Sequence, residues 1–128
     1  MESHRRTDVD RVGRGRTGEQ TAAFFLSEHG YRVLARNQRT PLGELDLICR
    51  SLSEIVVVEV KARSSEEYGE GLESIGPRKA RRLRAAAAWW LCERGLFPCP
   101  VRFDVVTVAL DNQGRPRSIH HLKNVLDG

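Results

Sequence analysis

With 128 residues, 40% of them hydrophobic, and a formal net charge of +4, the chain has room for one domain with its own core and needs no disulfides to hold it. Cys49, Cys92 and Cys99 are odd in number and lack the paired spacing of a zinc site, which reads as a reduced, cytoplasmic chain. No apolar run reaches membrane-spanning length, the Arg-rich start lacks the apolar core of a signal peptide, and the basic excess favours a polyanion partner.

Residues 1–16, MESHRRTDVDRVGRGR, set arginines and glycines among almost no apolar positions and are predicted as a flexible basic arm, leaving 17–128 as one domain. Thr17 and Gln20 have capping-box spacing, and Ala22, Ala23, Phe25 and Leu26 follow at helical spacing until Gly30, which predicts a first helix over 17–29. YRVLARNQR, GELDLICR and EIVVVEVKAR are rich in β-branched or alternating residues. Turn formers at 40–43 and 51–53 separate them, and links this short predict an antiparallel meander. After a loop containing glycine and glutamate, Pro77 opens a second helix that carries Leu83, Ala86, Ala87, Trp90 and Leu91 on one face and stops at Gly95. VRFDVVTVAL then reads as a strand and SIHHLKNV as a weaker last one. The order α-β-β-β-α-β-β gives an α/β (α+β) fold class, a central mixed sheet flanked by helices.

Alternation in GELDLICR puts Glu44 and Asp46 on one face and Leu45 and Leu47 on the other; in EIVVVEVKAR, Ile55, Val57, Glu59, Lys61 and Arg63 share a face. Folding the hairpin about 51–53 sets Asp46 opposite Val58 or Glu59, and that one-residue difference decides whether the charged faces coincide. The register in which they coincide is favoured, because the other buries Asp46 beneath a helix without a partner. Residues before Glu59 are apolar on both faces, as in a covered central strand, and charge begins where the cover ends. That describes the floor of a cleft. Two carboxylates converging there repel each other, and a hard divalent cation, Mg²⁺ or Mn²⁺, relieves the repulsion while taking the oxygen ligands it prefers. Asp46 and Glu59 are therefore candidate metal ligands, with the Val60 carbonyl as a further one, in a site able to activate water for phosphodiester hydrolysis. Lys61, about 7 Å along the strand on the face of Glu59, would orient or deprotonate the attacking water, or neutralise charge.

Asp46 followed by Glu59-Val60-Lys61, in adjacent strands with one helix before and another after, resembles the PD-(D/E)XK nuclease core of restriction endonucleases and archaeal Holliday-junction resolvases. A closer resemblance is to the YraN-like family of small bacterial proteins. It is carried by Gly18-Glu19 with Ala22 and Leu26, Gly30-Tyr31, Arg36-Asn37, GELDLI at 43–48, VEVKAR at 58–63, Gly69 and Lys79. The PD prefix is replaced by Leu45-Asp46, and the Arg-rich arm lies outside the pattern. The resemblance implies a restriction endonuclease-like core and a metal site, to which Glu19 would add an acidic group from the first helix, directly or through water. A Glu in a first helical turn is also favoured by the helix dipole alone.

Arg78, Lys79, Arg81, Arg82 and Arg84, with no acid among them, give the second helix a basic start, and the first four, with Arg63, are the candidate nucleic-acid contacts. Such contacts hold a backbone without reading bases, which suits double-stranded or branched DNA, and the resolvase resemblance implies a homodimer. Asp104 reads as structural, and His120 and His121 have no ligand spacing with an acid. The function expected is a metal-dependent DNA endonuclease. The alternative is a nucleic-acid-binding or scaffold protein on the same fold that hydrolyses nothing.

Overall fold

The computed structural model describes residues 2–64 and 75–126, the side chains of residues 2–12 and 14 excepted. Its elements are α1 (Glu2–Glu28), β1 (Arg32–Thr40), β2 (Gly43–Ser51), β3 (Glu54–Ser64), α2 (Pro77–Glu93), β4 (Val101–Leu110) and β5 (Pro116–Leu122). They form a five-stranded sheet in the order β1-β2-β3-β4-β5. The first three strands are the expected antiparallel meander, β4 runs parallel to β3, and β5 returns antiparallel to β4. The parallel pair follows from connectivity, because α2 carries the chain back to the starting end of β3 before β4 begins. β3 is therefore central, as its apolar run requires.

Each face of the sheet is covered by one helix. Ala22, Ala23 and Leu26 of α1 pack on Leu47, Cys49, Val56, Val58, Val106 and Val108. Leu83, Ala86, Ala87, Trp90 and Leu91 of α2 pack on Leu45, Ile48, Ile55, Val57 and Phe103. Burial of each large aliphatic side chain stabilises by about 1.5–3 kcal/mol. The side chains of β3 alternate strictly between the two cores, which fixes Glu59 on the α2 side. Trp90 Nε1 donates to Gln38 Oε1 at 3.0 Å and ties α2 to β1.

The helix ends follow the glycines. Gly30, at φ +91, turns the chain so that the Tyr31 N–H reaches the Leu26 carbonyl at 3.0 Å. Gly95, at φ +69, does the same for Leu96 and Leu91 at 2.9 Å. The start of α1 differs from the sequence reading. The helical backbone begins at Glu2, so Thr17 and Gln20 are interior residues and form no capping box. A Thr three positions before a Gln and just ahead of an apolar run has the spacing of a cap wherever it stands, and arginines are good helix formers even without an apolar face. The arm predicted at 1–16 is helical in its backbone from residue 2. Gly69, named for the resemblance, lies outside the described residues.

Asp104 has no exposed side-chain surface. It accepts from Arg102 at 2.9 and 2.7 Å and from the Asn124 N–H at 2.9 Å, and it shares a 2.8 Å hydrogen bond with His121 Nε2. Burial alone would raise its pKa, but the bonds from His121, Arg102 and Asn124 outweigh that and hold it at about 2. Arg102 also donates to the Tyr31 hydroxyl at 2.7 Å and to Glu54 at 3.2 Å. The cluster ties β4 to β5, to the start of β3 and to the chain leaving α1, so Asp104 is structural and His121 is its partner.

α1 approaches β3 most closely at Gly18, where a Cβ would stand 2.7 Å from the Ala62 Cβ. Gly18→Ala gains about 1 kcal/mol of helix propensity but forces the two elements apart, which costs about 1–3 kcal/mol. In urea unfolding the variant is expected to be less stable than wild type, and Ala62→Gly in the same chain to recover part of the loss. A gain in stability from Gly18→Ala alone would show that the contact yields freely.

Candidate functional site

The site begins where two strands part. β2 pairs with β3 only as far as Leu47 and Val58, whereas β2 continues on β1 to Gly43 and β3 continues on β4 to Ser64. Asp46 and Glu59 are the next residues along, in the register that makes their charges coincide. The missing ladder is replaced by side chains. Asp46 Oδ2 accepts from the Val60 N–H at 2.9 Å, and the Glu59 carboxylate accepts from the Asp46 N–H. The N–H and C=O of one strand residue point to the same edge, so the Val60 carbonyl faces this gap as well.

The parting coincides with an irregularity in β1. Asn37, opposite Asp46 by register, adopts φ +50, a left-handed conformation that Asn tolerates better than most residues. The regular alternation of β2 breaks here. Leu45 joins the α2-side core although Leu47 joins the α1-side core, so the expectation that both share a face is corrected: the strand rotates as it leaves β3.

Glu59 is 8% exposed. Its Oε1 lies 3.8 Å from Lys79 Nζ, and its Oε2 is buried without a hydrogen-bond partner among the described residues. Burial first, then the charge of Asp46, push the Glu59 carboxyl up to about 7 against the pull of Lys79, the Asp46 N–H and Lys61. Burial likewise raises Asp46, opposed by the Val60 N–H, Lys79 and Lys61. Lys61 is half-buried and close enough to act on both carboxylates. Glu19, on α1, is raised chiefly by burial and further by Asp46, while a hydrogen bond from Asn37 lowers it.

A cleft of about 260 Å³ lies over the pair, walled by Gly43 and Glu44 of β2 on one side and Lys79 and Arg82 of α2 on the other. Asp46 and Glu59 line it; Glu19, Lys61 and Arg63 do not. Arg78 and Arg81 are exposed on the first turns of α2, and Arg63 is half-buried near the end of β3. Glu44 is solvent-facing and pairs with Arg39 at 3.4 Å. Lys79, a candidate nucleic-acid contact, is ion-paired with Glu59. Asn37 was visible only as part of the resemblance. The signal for its role was a strand-breaking polar residue in the middle of ARNQR.

Among the described residues no three or more His, Cys, Asp or Glu side chains gather as a metal cluster. The donors present nevertheless suit a hard cation: two carboxylates, one with an orphaned buried oxygen, and a carbonyl at the same strand edge. Asp46, Glu59 and Val60 would hold such an ion, with water completing its shell.

The raised carboxyl has a consequence for the metal-free protein. Between the ordinary Glu value of 4.5 and about 7 the folded chain retains a proton that the unfolded chain releases. Stability therefore falls as pH rises through that window. In EDTA, Glu59→Gln is expected to remove the decline and to be more stable than wild type above pH 7 by about 3 kcal/mol, read by urea unfolding across the pH range. Parallel pH curves for the two proteins would contradict it.

Residues 18–108 match the family described as "Uncharacterised protein family UPF0102". A UPF0102 protein of Moorella thermoacetica is 47% identical over 90% of this chain and 96% of its own length. One of Desulfosudis oleivorans is 43% identical over 88% and 89%, and one of Pelotomaculum thermopropionicum 46% over 86% and 92%. The match spans Glu19, Asn37, the GELDLI and VEVKAR strands, Lys79 and most of both cores. The chain belongs to the UPF0102, or YraN-like, family.

Proposed function

We propose that the protein is a metal-dependent endonuclease that hydrolyses phosphodiester bonds in DNA. The observation that carries this reading is Glu59 Oε2, buried and unpartnered beside Asp46 where the sheet opens into a cleft with a cationic wall. An acceptor left bare in such a place costs stability unless a ligand completes it. Mg²⁺ or Mn²⁺ held by Asp46, Glu59 and the Val60 carbonyl would supply Lewis-acid activation of water and charge neutralisation at the phosphate. Lys61, which acts on both carboxylates from the same strand face, orients the attacking water. Glu19, held by Asn37, adds an acidic group from the α1 side.

The cleft admits a phosphate and its sugar, not a duplex. The double helix would lie across its mouth, with Arg82 and the exposed Arg78 and Arg81 on its backbone. Contacts of that kind recognise shape and depend steeply on salt, which suits double-stranded or branched DNA. A homodimer would present two such sites to a junction. No helix among the described residues is long and apolar enough to cross a membrane, and a cytoplasmic setting fits a DNA substrate.

The second reading, a DNA-binding protein that does not cut, is favoured by one observation. Lys79 already stands against Glu59 as its counter-ion. Incubation with linear, nicked and branched DNA and Mg²⁺ or Mn²⁺ separates the two. Cleavage is expected, abolished by EDTA and reduced at least about 100-fold by Asp46→Asn or Glu59→Gln, while Arg82→Ala weakens binding and lowers the salt slope by about one phosphate contact. Binding without cleavage of any substrate would leave the second reading standing, and cleavage that survives Glu59→Gln would overturn the assignment of hydrolysis to this site.

A further inference from the structure

We infer that Lys79 is the resident cation of the acidic pair, displaced from Glu59 when a divalent cation enters and released onto the phosphate of the bound strand. This rests on the metal reading above and adds the residue that links cation to substrate. The first turn of α2 contains Arg78 and Lys79 and no acid, although cations at a helix N-terminus oppose the helix dipole. What holds Lys79 there is Glu59, whose Oε1 is 3.8 Å from its Nζ. The pair is unequal: the Lys79 side chain is 35% exposed and that of Glu59 is 11% exposed. The lysine can therefore swing toward solvent while the carboxylate stays fixed on β3. A divalent ion and the ammonium compete for one carboxylate, since both answer the same negative charge. Once released, Lys79 remains on the wall it shares with Arg82, at a helix N-terminus, where an anionic oxygen meets both. Lys79 thus weakens cation binding in the empty protein and strengthens DNA binding in the loaded one.

The test measures the two affinities of the full chain separately. Mn²⁺ binding, read by electron paramagnetic resonance without DNA, is expected to be about fivefold tighter in Lys79→Met than in wild type. Arg82→Met, which removes the same charge from the same cleft without breaking the pair, should change it less than about twofold. DNA binding, read by fluorescence anisotropy, is expected to be about fivefold weaker in Lys79→Met with Ca²⁺ present, and nearly unchanged in EDTA. Mn²⁺ affinity that is unchanged or weaker in Lys79→Met, or DNA binding weakened equally with and without Ca²⁺, would overturn the role of Lys79 and leave the metal site intact. If wild type and Lys79→Met, both folded by circular dichroism, bind no Mn²⁺, the metal reading falls and this inference falls with it.

Discussion

The hydrogen bond from the Val60 N–H to Asp46 Oδ2 is the contact on which the site depends. A backbone donor at a strand edge needs an acceptor, and where β2 turns away from β3 no carbonyl is left to serve. The carboxylate of Asp46 takes that place, and the Glu59 carboxylate answers the Asp46 N–H in return. The sheet can therefore open without leaving these donors bare. The exchange also fixes both carboxylates to the backbone more rigidly than side-chain packing alone would.

Rigidity of this kind has an electrostatic cost that the rest of the fold offsets. Two acids are held together in a half-dry cleft, and burial pushes Glu59 toward its neutral form. Lys61 and Lys79 oppose that shift from two elements, β3 and α2. α2 keeps its station because Leu83, Ala86, Ala87, Trp90 and Leu91 are buried on the sheet. On the far face, Gly18 lets α1 sit almost against β3, which brings Glu19 within range of Asp46. The two cores thus act as supports that bring charges from four elements to one strand edge. The Asp104 cluster has the opposite character: all its charge is answered internally, by Arg102, His121 and Asn124. A satisfied acid holds the fold together, and an unsatisfied one invites a ligand.

Much of this was legible in the residues. Gly30 and Gly95 end the helices where a left-handed turn was expected, and the short links at 40–43 and 51–53 imposed the meander. The register of β2 on β3 was readable because only one choice spared Asp46 an unpaired burial. Three features were not readable, each for a physical reason. The start of α1 was hidden because helix without an apolar face leaves no periodic signal. The rotation of Leu45 onto the α2 side accompanies the left-handed Asn37 across the strand pair, and alternation rules assume a regular pleat. The ion pair of Lys79 with Glu59 joins two elements through space, so the lysine read as part of a basic run when its partner is an acid on the central strand.

The central claim is that the parted strands make one cation site from Asp46 and Glu59. A crystal structure of the protein grown with Mn²⁺, with anomalous scattering recorded at the manganese edge, tests it most directly. The account predicts one anomalous peak within coordinating distance of Asp46 and of Glu59 Oε2, with Lys79 withdrawn from Glu59. Well-ordered density at the strand edge with no peak there, and Lys79 still on Glu59, would contradict it.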